Sequence, residues 1–157
     1  MESQLPMTPE AGAARILIVE DHATIAELVE TQLRIEGMCP IICLGGREAL
    51  QVLEHGTFDL VILDIMMPDV DGYEVFRFLQ SSSRTRGIPV IFLTAKSSPE
   101  DMEHGLALGA DYYITKPFSG SDLMQKVTNV LARRRPALAA RAAAAGARGC
   151  ADAEVRS

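Results

Sequence analysis

The sequence predicts an α/β protein in which a five-stranded parallel sheet is covered by helices on both faces. Between residues 15 and 134, short apolar runs alternate with stretches of helical periodicity, and five such units can be counted. This alternation is typical of repeated strand-helix units. Four of the runs are rich in Ile, Leu and Val, and runs that are apolar at every position indicate strands buried on both faces.

The first two strands flank a well-marked helix. The first strand is predicted at residues 16–19 and the second at residues 40–43. Between them, apolar side chains recur at intervals of three and four, as on one face of a helix: Ile25, Leu28, Val29 and Leu33. Gly37 follows them, and glycine suits the left-handed conformation that ends many helices.

The remaining strands are predicted at residues 60–63, 90–93 and 112–114. The helix after the fourth strand begins with Ser98 as its cap and Pro99 at its first position, and an acid follows three residues after the cap. The last helix, residues 121–134, has one apolar face and ends in arginines, whose positive charge favours the helix dipole.

The two ends of the chain differ in composition from the region between them. Residues 1–14 contain two prolines and few apolar side chains, and residues 136–157 are rich in alanine and arginine. Neither end can bury much apolar area. We therefore expect a flexible N-terminal segment at residues 1–14, one domain at residues 15–135, and a disordered tail at residues 136–157.

Charge narrows the functional classes. Residues 1–131 carry 19 acidic and 9 basic residues, whereas residues 132–157 carry 2 acidic and 6 basic ones. An acidic domain cannot neutralise the phosphates of a nucleic-acid backbone, so we expect no nucleic-acid binding by the domain itself. The tail alone could contact nucleic acid or an acidic partner surface, and a solvated spacer is the simpler interpretation. No apolar run suits a membrane span, and the start lacks the pattern of a secretory signal.

Three cysteines predict a reducing environment. Cys39 and Cys43 would lie about 13 Å apart along one strand, too far for a disulfide between them. The sequence also lacks the second pair that a structural zinc site would need. We interpret both as small buried side chains and Cys150 as a tail thiol, and we predict a cytoplasmic protein.

Polar groups able to do chemistry follow four of the five predicted strands. They are Glu20 and Asp21 after the first, Asp64 after the third, Thr94 after the fourth and Lys116 after the fifth. In an open parallel sheet, ligands bind at the edge formed by the carboxyl ends of the strands. Clustered carboxylates favour a divalent cation, and Mg²⁺ suits few oxygen ligands completed by water and phosphate. Lysine and threonine suit a phosphoryl group, which Asp64 could accept as the nucleophile.

These residues lie in strings that resemble the receiver domains of two-component response regulators. The likeness covers about residues 15–134. It rests on the acidic pair, on Asp64-x-x-Met67-Pro68-x-x-x-Gly72, on Thr94-Ala95 and on Gly109-Ala110-Asp111-Tyr112-Tyr113-Ile114-Thr115-Lys116-Pro117-Phe118. The resemblance implies a flavodoxin-like, doubly wound sheet with strand order 2-1-3-4-5.

The resemblance also implies a role for each matching residue. Asp64 would be the phosphoacceptor, and Thr94 and Lys116 would bind the phosphoryl group. Four groups would bind Mg²⁺: the carboxylates of Glu20, Asp21 and Asp64, and the backbone carbonyl of Met66.

A two-state output is implied by Thr94 and Tyr113, because burial of the Tyr113 ring would follow movement of the threonine towards the phosphoryl group. The peptide bond before Pro117 would be cis. Met66 and Lys96 occupy the two positions that tune phosphoryl lifetime in the family.

The implied function is a phosphorylation-driven switch that catalyses only its own phosphorylation and dephosphorylation. A histidine kinase or phosphotransfer protein would supply the phosphoryl group, and the product would bind a downstream effector protein, as a monomer or a phosphorylation-dependent dimer. The face from the fourth helix to the fifth strand is the expected contact surface. No output domain fits after Arg134, so output would act through surface contacts or through a part of the protein beyond this sequence.

Other interpretations stay open at this stage. Asp64 could be a loop or capping aspartate, Thr94 an ordinary strand-end residue, and Tyr113 a packing residue without a switch role. His22 is interpreted as a solvated residue at a helix start. A phosphatase with an aspartyl nucleophile would need an acid where Met66 stands. A flavin-binding module would need glycine, serine or threonine in the acidic loop after the first strand.

Overall fold

Strands and helices alternate throughout residues 13–133, the part of the chain that the computed structural model describes. The elements are β1 (Arg15–Val19), α1 (Ala23–Ile35), β2 (Cys39–Cys43), α2 (Gly46–His55), β3 (Leu60–Leu63), α3 (Gly72–Gln80), β4 (Val90–Thr94), α4 (Pro99–Ala107), β5 (Tyr112–Thr115) and α5 (Gly120–Arg133). Each predicted strand lies within an observed one. The predicted tail at residues 136–157 lies outside the described residues, as do all but the last two residues of the predicted N-terminal segment.

The five strands form one parallel sheet in the order β2-β1-β3-β4-β5, which confirms the predicted doubly wound fold. Val19 at the end of β1 pairs with Cys43 at the end of β2 and with Leu63 at the end of β3. These three strands therefore end level with one another. The residues that follow β1 and β3 in the sequence emerge side by side at this edge.

The sheet separates two apolar layers. Leu17 and Val19 of β1 belong to one layer, and Ile16 and Ile18 belong to the other, because successive side chains of a strand point to opposite faces. Helices α2 and α3 supply buried side chains to the first layer, and α1 and α5 supply them to the second. This two-sided burial explains why the strand sequences are apolar at nearly every position.

The helix ends follow the signals in the sequence. Gly37 lies just beyond α1 with a φ of 83°, in the left-handed region that favours glycine. Ser98 caps α4, and its hydroxyl oxygen accepts a hydrogen bond of 3.0 Å from the Asp101 amide. Pro99 occupies the first position of the same helix.

Helix α4 is attached to the sheet differently from the other helices. The one buried residue in α4 is Gly105. By contrast, α5 buries four apolar side chains: Leu123, Val127, Val130 and Leu131. Because glycine has no side chain, α4 removes little apolar area from water by packing on the sheet.

The two cysteines of β2 are both buried. No disulfide joins Cys43 to Cys39, as predicted. No helix within residues 13–133 is long and apolar enough to cross a lipid bilayer.

Candidate functional site

Two buried carboxylates lie together at the carboxyl edge of the sheet. The Asp64 amide donates to the Val19 carbonyl at 2.9 Å, which holds the end of β3 against β1. The Glu20 amide donates to the Cys43 carbonyl at 3.1 Å, which holds the end of β1 against β2. Glu20 and Asp64 are each only 2% exposed. Two negative charges that are buried side by side, away from water, require a neighbouring cation.

Lys116, which follows the edge strand β5, supplies a cation at the same edge of the sheet. Its amide donates to the Thr94 carbonyl at 2.9 Å, which fixes the chain just after β5. Its Nζ lies 2.8 Å from Oε1 of Glu20 and 3.1 Å from Oδ2 of Asp64. Residues 52 positions apart in the sequence are therefore in direct contact, and the sequence prediction that they converge is met by the structure.

The ammonium of Lys116 stays charged in this setting. Burial alone lowers the pKa of Lys116, but the hydrogen bond to Glu20 and the charge of Asp64 outweigh it, and the net effect raises the pKa. The charge thus persists throughout the neutral pH range. It is a permanent electrostatic partner for oxygens at this edge.

Asp21 adds a third carboxylate. One donor atom each of Glu20, Asp21, His22 and Asp64 lies within 4.8 Å of the others. Asp21 Oδ1 is buried, and no group in residues 13–133 forms a hydrogen bond with it. A buried carboxylate oxygen without a donor, beside two further carboxylates, fits a hard divalent cation such as Mg²⁺. The Met66 carbonyl stays a predicted ligand.

The loop after Asp64 is held by hydrogen bonds that orient the carboxylate. The Met66 amide donates to Oδ1 of Asp64 at 3.1 Å. Further along, Asp71 caps α3 by accepting from the Glu74 amide at 3.0 Å, and the Glu74 side chain accepts from the Asp71 amide at 3.1 Å. The loop is therefore anchored at both ends, and Asp64 presents Oδ2 to Lys116.

Thr94 and Tyr113, the two predicted switch residues, are connected through the backbone of Lys96. Thr94 is fully buried at the end of β4, and its hydroxyl oxygen accepts a hydrogen bond of 3.3 Å from the Lys96 amide. The Tyr113 hydroxyl donates to the Lys96 carbonyl at 2.8 Å. A movement of either side chain would therefore disturb the hydrogen bond that the other makes with the Lys96 backbone. Their roles in binding and switching stay predictions.

The ring of Tyr113 is buried between the sheet and α4. It meets the Phe92 ring edge-on at a centroid distance of 6.0 Å. A Cβ atom added to Gly105 would lie 2.7 Å from Cδ2 of Tyr113, so the ring occupies the space that a side chain would need. Burial, followed by the charges of Tyr73, Asp101 and Asp64, raises the pKa of Tyr113 to about 12. The peptide bond between Lys116 and Pro117 is cis.

The sequence analysis assigned no role in the site to His22 or to Gly105. His22 is the exposed N-cap residue of α1, as expected, but its Nδ1 also lies 3.1 Å from Oε2 of Glu20. Its position next to the acidic pair was the only signal. Gly105 offered none, because a glycine inside a helical pattern does not reveal what lies against it.

Replacing Lys116 with methionine should destabilise the protein by about 3 kcal/mol without divalent cations, because two buried carboxylates lose their cation. Added Mg²⁺ should restore part of the loss by binding the same oxygens, and it should stabilise the variant more than the wild type. Urea unfolding with and without Mg²⁺ measures both effects. Lys126→Met, which removes a half-buried surface partner of Asp122, should change stability by less than about 0.5 kcal/mol. Equal stability of Lys116→Met and wild type would contradict this account.

The sequence matches the family described as the response regulator receiver domain over residues 16–128. It is 43% identical over 119 residues to the probable transcriptional regulator ycf27 of Porphyridium aerugineum, a match that covers 76% of this chain and 48% of that protein. It is 41% identical over 124 residues to the phosphate regulon transcriptional regulatory protein PhoB of Escherichia coli K12, covering 79% of this chain and 54% of PhoB. The chain thus spans about half the length of these relatives.

Solved structures resemble the chain over about three quarters of its length. The receiver domain of the Francisella response regulator 1452 is 32% identical, with a TM-score of 0.71, and the match covers 76% of this chain and 98% of that domain. The chemotaxis protein CheY4 of Vibrio cholerae is 31% identical, with a TM-score of 0.70, and the match covers 75% of this chain and 98% of CheY4. Almost the whole length of each structure is therefore matched.

Proposed function

The chain belongs to the response regulator receiver domain family of two-component systems, and on this premise we propose that Asp64 accepts a phosphoryl group from a phosphorylated histidine. The observation that carries the proposal is the contact of Lys116 Nζ with both Glu20 and Asp64 at 2.8 and 3.1 Å. A nucleophilic carboxylate, further acids for a metal ion and a fixed ammonium are the groups that phosphoryl transfer requires.

The transfer forms one bond and breaks another. A carboxylate oxygen of Asp64 attacks phosphorus while the bond from phosphorus to the donor imidazole nitrogen breaks, and the imidazole retains the electron pair and takes up a proton. Lys116 exchanges its contact with Asp64 for a phosphoryl oxygen, and the Thr94 hydroxyl donates to another. When bound, Mg²⁺ supplies positive charge to the phosphoryl oxygens. Its proposed ligands are Glu20, Asp21, Asp64 and the Met66 carbonyl.

The protein is a signalling switch, and we propose two classes of partner for it, a phosphoryl donor and an effector. The phosphoryl donor is a histidine kinase or phosphotransfer protein in the cytoplasm, and the output is a phosphorylation-dependent contact with an effector protein. Relatives named as transcriptional regulators favour an effector that acts on transcription. The acidic residues of the domain do not themselves suit nucleic acid.

Phosphorylation reaches the effector surface through Thr94, Lys96 and Tyr113. Movement of the Thr94 hydroxyl towards the phosphoryl group alters its hydrogen bond with the Lys96 amide, and the Lys96 carbonyl holds the Tyr113 hydroxyl. The Tyr113 ring packs under α4 at Gly105. The position of this ring therefore couples the site to the surface formed by α4 and β5.

Gly105→Ala should displace the Tyr113 ring, because the new methyl group overlaps it. In the wild type, the folded chain keeps the Tyr113 proton up to about pH 12, whereas the unfolded chain loses it near 10, so stability falls as pH rises between these values. An exposed ring loses the burial that raised its pKa, so we expect the pKa to move back towards 10. Titration of the tyrosine Cζ resonances by NMR, with Tyr113→Phe for assignment, measures the shift.

Gly45→Ala is the matched control for this prediction, because a Cβ at Gly45 meets no atom within 4 Å. It should leave the Tyr113 titration unchanged. A Tyr113 pKa that stays near 12 in Gly105→Ala would show that α4 moves instead of the ring.

The function itself is tested by incubating the protein with Mg²⁺ and a small phosphodonor. One phosphoryl group should be added, as seen by intact mass spectrometry, and chelation of Mg²⁺ should prevent it. Steady hydrolysis of a phosphate ester without accumulation of a phosphorylated form would instead favour a phosphatase.

A further inference from the structure

His22 holds a position in the acidic cluster that the proposed function does not use. Its Nδ1 lies 3.1 Å from Oε2 of Glu20 and 3.5 Å from Oδ1 of Asp21. The same Asp21 oxygen is the buried one that forms no hydrogen bond with any group in residues 13–133. The imidazole thus faces the space between two carboxylates, although most of its ring is in solvent.

The oxygens of the cluster are divided between two sides. Lys116 takes Oε1 of Glu20 and Oδ2 of Asp64. Oε2 of Glu20 and Oδ1 of Asp21 are left on the side of His22. Oε2 of Glu20 also accepts a hydrogen bond of 3.0 Å from the His22 amide. A cation bound by Oε2 of Glu20 and Oδ1 of Asp21 would therefore meet the imidazole and would not displace the lysine.

We infer that His22 Nδ1 is a further protein ligand of the divalent cation, in addition to the carboxylates, and that it raises the preference of this site for an ion that accepts nitrogen, such as Mn²⁺. The donor atoms of the four residues lie within 4.8 Å of one another. Opposite ligands of a small divalent cation are separated by about 4.2 Å, twice the ligand distance, so only a small adjustment is needed. Imidazole binds transition-metal ions well, whereas Mg²⁺ prefers oxygen. The inference rests on the proposed function, since it concerns the same metal site.

A purely positional role for His22 makes a different prediction. If the imidazole only donates a hydrogen bond to Glu20, it orients a carboxylate that serves every cation alike. Removing the imidazole would then weaken the binding of Mg²⁺ and of Mn²⁺ to the same extent. If the imidazole is instead a direct ligand, its removal weakens the binding of Mn²⁺ selectively.

The test uses Mn²⁺ and Mg²⁺ with the full chain and its His22→Ala variant. His22 makes no side-chain capping hydrogen bond to α1, so alanine leaves the helix start intact. His55→Ala is the control, since this exposed histidine ends α2. Electron spin-echo envelope modulation of bound Mn²⁺ reports nitrogen coupling from a directly bound imidazole. Calorimetry gives the affinities.

In the wild type and in His55→Ala we expect nitrogen coupling, which His22→Ala should lose. The Mn²⁺ affinity should fall by about tenfold or more in His22→Ala, and the Mg²⁺ affinity by less than about twofold. The inference would be wrong if bound Mn²⁺ showed no nitrogen coupling, or if His22→Ala lowered the affinities for Mn²⁺ and Mg²⁺ equally. Phosphorylation of Asp64 in the same protein would then show that the proposed function still holds. If neither ion binds and no phosphoryl group is added, both the inference and the proposed function fail.

Discussion

Asp64→Asn should abolish the phosphoryl mass gain that the wild-type protein shows with Mg²⁺ and a small phosphodonor. The amide has nearly the same shape as the carboxylate but carries no anionic oxygen to attack phosphorus, so labelling should fall to background. The Met66 amide can still donate to the remaining oxygen, which preserves the loop. Intact mass spectrometry after a short incubation measures the effect.

Asp69→Asn is the matched control because Asp69 lies in the same loop but its side chain is 63% exposed. Its φ of 73° is tolerated by asparagine. This variant should be phosphorylated like the wild type. Undiminished labelling of Asp64→Asn would place the phosphoryl group elsewhere and sink the proposed function.

Gly72→Ala should damage both the stability and the chemistry of the protein. A Cβ at Gly72 would collide with the Asp64 carbonyl and lie 2.7 Å from Cα of Ile65, and backbone atoms cannot rotate away as a side chain can. We expect a loss of about 3 kcal/mol, at the upper end for an overpacked position. The displaced Asp64 should also slow phosphorylation by about 100-fold, the cost of a misplacement of about 1 Å.

Two measurements separate these effects. Urea unfolding gives the stability, and the initial rate of labelling under conditions where the variant remains folded gives the chemistry. Gly87→Ala should alter neither, because a Cβ there meets no atom within 4 Å. A variant that is destabilised yet labelled at the wild-type rate would show that the loop, not Asp64, absorbs the collision.

Much of the fold is predictable because its signals are local. A few adjacent residues are enough to predict the apolar strands, the end of α1 at Gly37 and the start of α4 at Ser98-Pro99. Strand order came from the family resemblance and was confirmed.

Part of the site was predictable because the strands of a parallel sheet place their carboxyl ends at the same edge. Glu20, Asp64 and Lys116 meet because each follows a strand of the same sheet. The division of oxygens between Lys116 and His22, and the space that Gly105 leaves for Tyr113, depend on side-chain directions. No sequence spacing encodes those directions, so they required coordinates.

The thin attachment of α4 has a consequence for motion. A helix whose single buried residue is a glycine can detach at a small fraction of the free energy that unfolds the whole domain, so its amide hydrogens should exchange with solvent sooner than those of α5. Such partial opening leaves the sheet and the acidic cluster intact. The helix can then settle in more than one orientation, and a partner that selects one of them needs little binding energy to do so.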